Sequence, residues 1–227
     1  MECWRSLERG RSAVAMTCSC NALARQFDEK VAARERRRLL RRGPIRTTQM
    51  LAEALREEGV EGATVLDVGG GVGALGRELL EAGARRVIQV EASPAFHVSA
   101  LDLAEEGGYS DRSEYRLGDF IDLADDIEPA DVVALDRVIC CYPDVPGLVG
   151  RTAEKARQLY AAVYPRERWS VRAMISLQNG LRRLLGNPFR VYVHAVQEIE
   201  SLLQRAGFER RRAQRTFVWE VAVFGRR

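Results

Sequence analysis

Residues 65–76, VLDVGGGVGALG, constrain the fold more than any other part of the chain. An apolar strand carries an aspartate, Asp67, and five glycines then stand in the eight positions 69–76. A carboxylate inside a buried strand is costly unless something polar meets it. A turn stripped of side chains lets a ligand come close to the backbone. Together they imply a polar, ribose-sized ligand at the carboxyl end of the first strand of a parallel sheet.

The rest of the chain supplies that sheet. Strand Thr64–Val68 leads through the glycine turn to a helix over residues 74–82. A strand over residues 86–90 ends at Ser93-Pro94, which reads as an N-cap followed by proline at the first helical position. That helix stops at Gly107-Gly108, and a strand over residues 114–117 precedes Gly-Asp-Phe. The continuous apolar run 130–135 reads as a strand covered on both faces. A helix over residues 145–159 and a strand over 161–164 come next. Helix 195–206 gives way to two strand-like stretches with a short junction, which must pair antiparallel, since a parallel pair needs a long crossover. The fold class is therefore α/β: a doubly wound, mostly parallel sheet with an antiparallel C-terminal hairpin.

Before the sheet, residues 21–42 read as a very basic helix that Gly43-Pro44 ends, and Thr47 reads as the N-cap of a helix stopping at Gly59. Solvated arginines over a buried Leu39 explain the basic helix, as does a lid or anion-binding role. Met16 is a second candidate start.

Length, 227 residues, suits one large domain, and 46% hydrophobic residues suffice for a core. There is no apolar run of about eighteen residues, and residues 1–15 lack the apolar centre of a signal peptide. The expected location is cytoplasmic. A net charge of +3 does not by itself imply nucleic acid. Neither Cys18-x-Cys20 nor Cys140-Cys141 has the spacing of a disulfide framework. Two thiols at Cys18 and Cys20 make a poor zinc site, and no metal is expected.

The glycine turn can be cut two ways. Gly71-x-Gly73-x-x-Gly76 matches a dinucleotide pattern but begins three residues after the strand, late for the tight turn. Asp67-x-Gly69-x-Gly71-x-Gly73 matches the pattern for S-adenosylmethionine, SAM. An acid at Asp67 suits the ammonium of a methionine moiety and repels a diphosphate. Glu91 ends the second strand, 24 residues on, where a carboxylate holds ribose hydroxyls. Asp119 follows the third strand beside Phe120, placed to meet an adenine, although a turn or N-cap aspartate reads the same way.

The segments VLDVGGGVG, VEAS, GDF and the terminal EIESLLQRAGF…VWEVAVFG resemble a class I SAM-dependent methyltransferase over residues 47–227. LDRVICCYPD and the arginine-rich helix look like a bacterial small-molecule group similar to magnesium-protoporphyrin-type O-methyltransferases. The resemblance implies a seven-stranded Rossmann-like methyltransferase fold, with residues 1–46 as a basic helical extension or lid. It implies that Asp67, Gly69, Gly71 and Gly73 line the methionine end, that Glu91 and Ala92 meet the ribose, and that Asp119 and Phe120 meet the adenine. Asp136 and Arg137 would lie beneath the methyl donor. LDRVICCYP stands where an NPPY-type tetrapeptide would follow strand four, which disfavours amide or nucleobase nitrogen as acceptor.

A hydroxyl acceptor needs a base, and a carboxylate does not. His194, Tyr142 and Asp136 are the candidates. Residues 169–185 read as an amphipathic helix with Met174, Leu177, Leu181 and Leu184 at helical spacing, either core-facing, covering an apolar substrate or touching a membrane surface. Apolar cover plus arginine suits a bulky, apolar or acidic small-molecule acceptor. The rival functions are a nucleotide-dependent oxidoreductase and an RNA-binding or RNA-modifying protein. Few aromatics interleave the basic run, which counts against base stacking.

Overall fold

The structure, a computed structural model, describes residues 26–227. Two helices lead in: α1, Glu29–Arg42, and α2, Arg46–Glu58. The sheet and its crossovers follow as β1 (Thr64–Val68), α3 (Ala74–Glu81), β2 (Arg86–Glu91), α4 (Pro94–Glu106), β3 (Ser113–Leu117), α5 (Phe120–Leu123), β4 (Ala130–Asp136), α6 (Val145–Glu154) and β5 (Ala156–Pro165). Helices α7 (Trp169–Leu184) and α8 (Val196–Arg205) precede β6 (Phe208–Arg215) and β7 (Trp219–Arg226). The seven strands lie in the order β3-β2-β1-β4-β5-β7-β6. β1 pairs in parallel with β2 and β4, so the chain reverses direction across the sheet at β1, and the switch point lies beside the glycine turn. β7 runs antiparallel to both β5 and β6.

Alternation along the central strands builds two cores. Leu66, Val68, Val133 and Leu135 face α6 and α8, while Val65, Val132 and Ala134 face α2 and α3. Leu51, Leu55 and Leu79 are wholly buried on the second face, each contributing about 1.5–3 kcal/mol by area. A third cluster seats α1: Ala32 and Leu39 pack with Phe96 and Leu103 of α4, and Phe27 meets Phe96 edge to face at 5.5 Å.

Four boundaries differ from expectation. α1 begins at Glu29 because the Asp28 side chain accepts from the Val31 amide and caps it, and residues 21–25 lie outside the described residues. α2 begins at Arg46 with Ile45 as N-cap and no side-chain cap, and Thr47 and Thr48 lie buried in its first turn. α6 stops at Glu154 with Lys155 as C-cap, and β5 takes all of residues 156–165. β5 has this length because both edges are used, by β4 and by β7, so pairing decides a segment whose local pattern suits a helix. On α7 the inward residues are Val171 and Ile175, and Leu177, Leu181 and Leu184 are exposed rather than core-facing.

Candidate functional site

At the carboxyl ends of β1, β2 and β4 a cavity of roughly 530 Å3 opens, a size that suits a small-molecule ligand. Its base is the glycine turn. Gly69 and Gly71 both line it, with φ of 67° and 59°. A methyl group on Gly69 would stand 2.6 Å from Val138 Cγ2, and one on Gly70 would stand 2.7 Å from both Asp67 Oδ2 and the Gln89 side chain. The turn is thus packed from beneath by polar side chains that register pairing sets side by side, Asp67 on β1 and Gln89 on β2. Gln89 Nε2 donates to Gly71 O at 2.9 Å.

Asp67 is fully buried under the turn, and neither it nor Gly73 is on the cavity wall. No hydrogen bond of standard geometry reaches either Asp67 oxygen. Burial, with the negative charges of Asp136 and Glu91, pushes its pKa up to about 8, although the Gly76 amide draws it down. A buried, unsatisfied acid poised to ionise is the kind of group that a cation above the turn stabilises.

Glu91 lies on the cavity wall at the end of β2. Its Oε2 accepts from the Gly71 amide at 2.9 Å and its Oε1 from the Ser93 amide at 2.7 Å, and burial raises its pKa. These bonds lock the carboxylate in place and leave lone pairs for further donors. Ala92 lines the cavity next to it. Across the cavity, Asp119 caps α5 by accepting from the Ile121 amide at 3.0 Å, and both of its oxygens accept from the Tyr142 hydroxyl at 3.0 Å. Asp119, Phe120 and Tyr142 all face the cavity.

Beneath the middle sit Asp136 and Arg137. Asp136 accepts from the Thr48 hydroxyl, and Arg137 Nε approaches it at 3.3 Å. Arg137 has φ of 62°, the only non-glycine residue in that region among the described residues. Such a conformation costs on the order of 1–2 kcal/mol and clusters at functional sites. Its amide is held by Val163 O at 3.1 Å.

The cover comes from outside the sheet. Phe27 and Glu35 enter from the N-terminal side, Met174, Ile175, Gln178 and Arg182 from α7, and Val218 and Trp219 from the turn into β7. Phe189 stacks edge to face on Phe27 at 5.5 Å and lies under the Arg182 guanidinium at 5.4 Å. Cys140 and Cys141, on the turn Ile139–Cys141, also line the wall, with sulfurs 3.8 Å apart. The hydrogen bond from Cys140 and the charge of Arg137 lower the Cys141 pKa, while that bond and burial push Cys140 up.

His194 lies outside the cavity wall. Its Nε2 is 3.0 Å from Tyr142 O, its ring stacks on Tyr192, and burial lowers its pKa. The Tyr192 amide donates to Cys140 O at 2.7 Å. Both residues therefore tie the segment after α7 to the 139–142 turn. Sequence reasoning missed Glu35, Gln89 and Gln178, whereas Arg182 was expected beside the apolar stripe of residues 169–185. Gln89 had a readable signal, a polar residue in an otherwise apolar strand, whereas the other two were hidden in amphipathic helices.

Among the described residues no group of three or more His, Cys, Asp or Glu could hold a metal, and no helix is long and apolar enough to cross a membrane.

Sequence comparison finds no family profile and no curated protein that matches. Structural comparison does. The magnesium protoporphyrin IX methyltransferase of Synechocystis PCC 6803, solved with bound S-adenosylhomocysteine (SAH), superposes with a TM-score of 0.71 at 20% identity, covering 91% of this chain and 99% of that one. An O-methyltransferase family protein from Burkholderia thailandensis superposes at 0.69 with 18% identity, covering 89% of this chain and 61% of that one. The mitomycin 7-O-methyltransferase superposes at 0.63 with 24% identity, covering 94% and 62%. The chain has the Rossmann-like fold of class I SAM-dependent methyltransferases.

Proposed function

We propose that the chain is an enzyme that binds SAM in this cavity and transfers its methyl group to a small molecule, at oxygen. The observation that carries this reading is the set of acids around a glycine turn: Asp67 beneath it, Glu91 on one wall and Asp119 on the other. The residues present fit the ligand. A methyl group on Gly69 would meet Val138 and one on Gly70 would meet Asp67 and Gln89, so the turn keeps its bare backbone beside the cavity, and the buried Asp67 suits a cation lying over it.

On this reading Gly69 and Gly71 receive the methionine end, Glu91 and Ala92 the ribose, and Asp119 with Phe120 the adenine. Asp67 acts from below, through the turn. Tyr142 orients Asp119. Bound SAM supplies an activated methyl group that an acceptor oxygen takes in line with the departing sulfur. The protein's own work is to align the acceptor and exclude water, which α1 and α7 do as covers. For a hydroxyl acceptor, the group on the cavity floor able to take its proton is Asp136, which Thr48 and Arg137 hold in place. A carboxylate acceptor needs no base. Met174, Ile175, Phe189 and Trp219 with Arg182 favour an apolar acceptor bearing an acidic group.

Titration calorimetry of the purified chain with SAH and with NADH tests the reading. It predicts saturable one-to-one binding of SAH and none of NADH. Binding of NADH alone overturns it.

A further inference from the structure

The cavity's mouth has an outer surface that methyl transfer does not use. On α7, Leu177, Leu181 and Leu184, with Leu185 just beyond, recur at i, i+4, i+7 and i+8 on one face. They are exposed rather than packed, Leu177 by 77% and Leu184 by 85%. Trp169 at the start of the same helix is 83% exposed, and Phe217, beside the cavity-lining Val218, is 63% exposed under Arg168. Large apolar side chains grouped this way on a surface mark a contact site.

The charged residues around them are mostly basic. Residues 166–190 hold six arginines against a single acid, Glu167. The second helix of the rim, α1, carries Arg34, Arg37, Arg38, Arg41 and Arg42 on its outward face, opposite Ala32 and Leu39, where they surround a surface recess. The two helices meet at the same mouth. Glu35 of α1 and Arg182 of α7 both line the cavity, and Asn187 just after α7 donates to Gln26 just before α1 at 2.8 Å.

We propose that this rim is a peripheral membrane-docking surface for an anionic lipid bilayer, with the leucines of α7, Trp169 and Phe217 entering the interface and the arginine face of α1 lying on the headgroups. A helix with leucines and tryptophan on one side and arginines beside them has the composition of an interfacial helix. Arginines near an anionic surface add attraction that a neutral surface does not give. A second copy of this chain fits less well, because a two-fold contact through the rim would set arginine faces against each other. The cavity would then open onto the bilayer, so an apolar acceptor could enter from the lipid. That route rests on the proposed methyl transfer, whereas the docking itself does not.

Co-sedimentation of the full chain with phosphatidylglycerol–phosphatidylcholine vesicles and with pure phosphatidylcholine vesicles tests it, without any methyl acceptor. The mixed vesicles should bind the chain, and binding should weaken with salt and be at least tenfold weaker on the neutral vesicles. The variant L177Q/L181Q/L184Q changes only exposed positions and should lose binding to the mixed vesicles at least tenfold. R37Q/R41Q should lose roughly fivefold per arginine. Both variants should keep the wild-type thermal unfolding and SAH affinity. Equal binding of the leucine variant and the wild type overturns the proposal. So does the absence of binding to the mixed vesicles, and a concentration-dependent dimer that L177Q/L181Q/L184Q abolishes would then assign the face to a second copy of the chain. Vesicle binding with no SAH binding would leave the docking surface standing and remove the function proposed above.

Discussion

Gly69→Ala tests the cradle most sharply, because the structure gives two separable penalties. The first is conformational: φ of 67° costs an alanine about 1–2 kcal/mol. The second is steric: the new methyl would stand 2.6 Å from Val138 Cγ2, and overpacking of this kind costs about 1–3 kcal/mol. Gly69 and Val138 both line the cavity, so relief of the clash must move the turn or Val138 against the ligand. If the whole penalty falls on the bound geometry, about 2–5 kcal/mol lowers SAH affinity by roughly 30-fold to several thousandfold. Calorimetry with SAH, beside thermal unfolding, measures how the penalty divides. Val138→Ala in the same chain removes the clash but not the strain, so G69A/V138A should recover about 1–3 kcal/mol of the combined loss in affinity and stability. A G69A chain that binds SAH within twofold of wild type, at unchanged stability, refutes the argument that this turn is shaped by close approach.

Three further outcomes follow from the same geometry. Asp67 has a folded pKa of about 8 against an ordinary 3.8, so the folded state holds its proton more tightly. That contribution to stability is whole below pH about 4 and is lost as pH rises through 8, on the order of several kcal/mol, so denaturant unfolding at pH 5 and pH 8 should show a steeper loss in wild type than in D67N; parallel pH curves contradict it. Arg137→Gly and Arg137→Ala both delete the guanidinium, but only alanine keeps the strain at φ 62°, so the glycine variant should be more stable by about 1 kcal/mol in thermal or urea unfolding; equal stabilities contradict it. With any acceptor that turns over, His194→Ala should lower kcat without removing a limb of the pH–rate profile, because the imidazole acts through Tyr142 O; loss of the acidic limb would instead mark His194 as the base.

What could be read from the chain divides along the line between local and long-range causes. The glycine turn, the Ser93-Pro94 cap and the switch from parallel to antiparallel order all rest on local chemistry, and the structure contains each of them. The end of α6 was misplaced because pairing of β5 on both edges, not its own residue pattern, makes residues 156–159 a strand. Glu91 and Asp119 reach the cavity from strand ends, where periodicity fixes position. Asp67 was expected at the methionine end, and alternation with the register of β1 on β2 sets its side chain beneath the turn beside Gln89. The cover was the least legible part. Glu35, Gln178 and Arg182 sit on helices whose residues alternate between cavity, core and surface, and only the packing of α1 and α7 decides which side chain goes where.

The most direct measurement is a crystal structure of the chain grown with SAH. The adenosyl group should lie over Gly69 and Gly71, with the ribose hydroxyls on Glu91 and the adenine between Phe120 and the Asp119–Tyr142 pair. An SAH molecule seated elsewhere, or a Glu91 carboxylate that still meets only the Gly71 and Ser93 amides, contradicts the account.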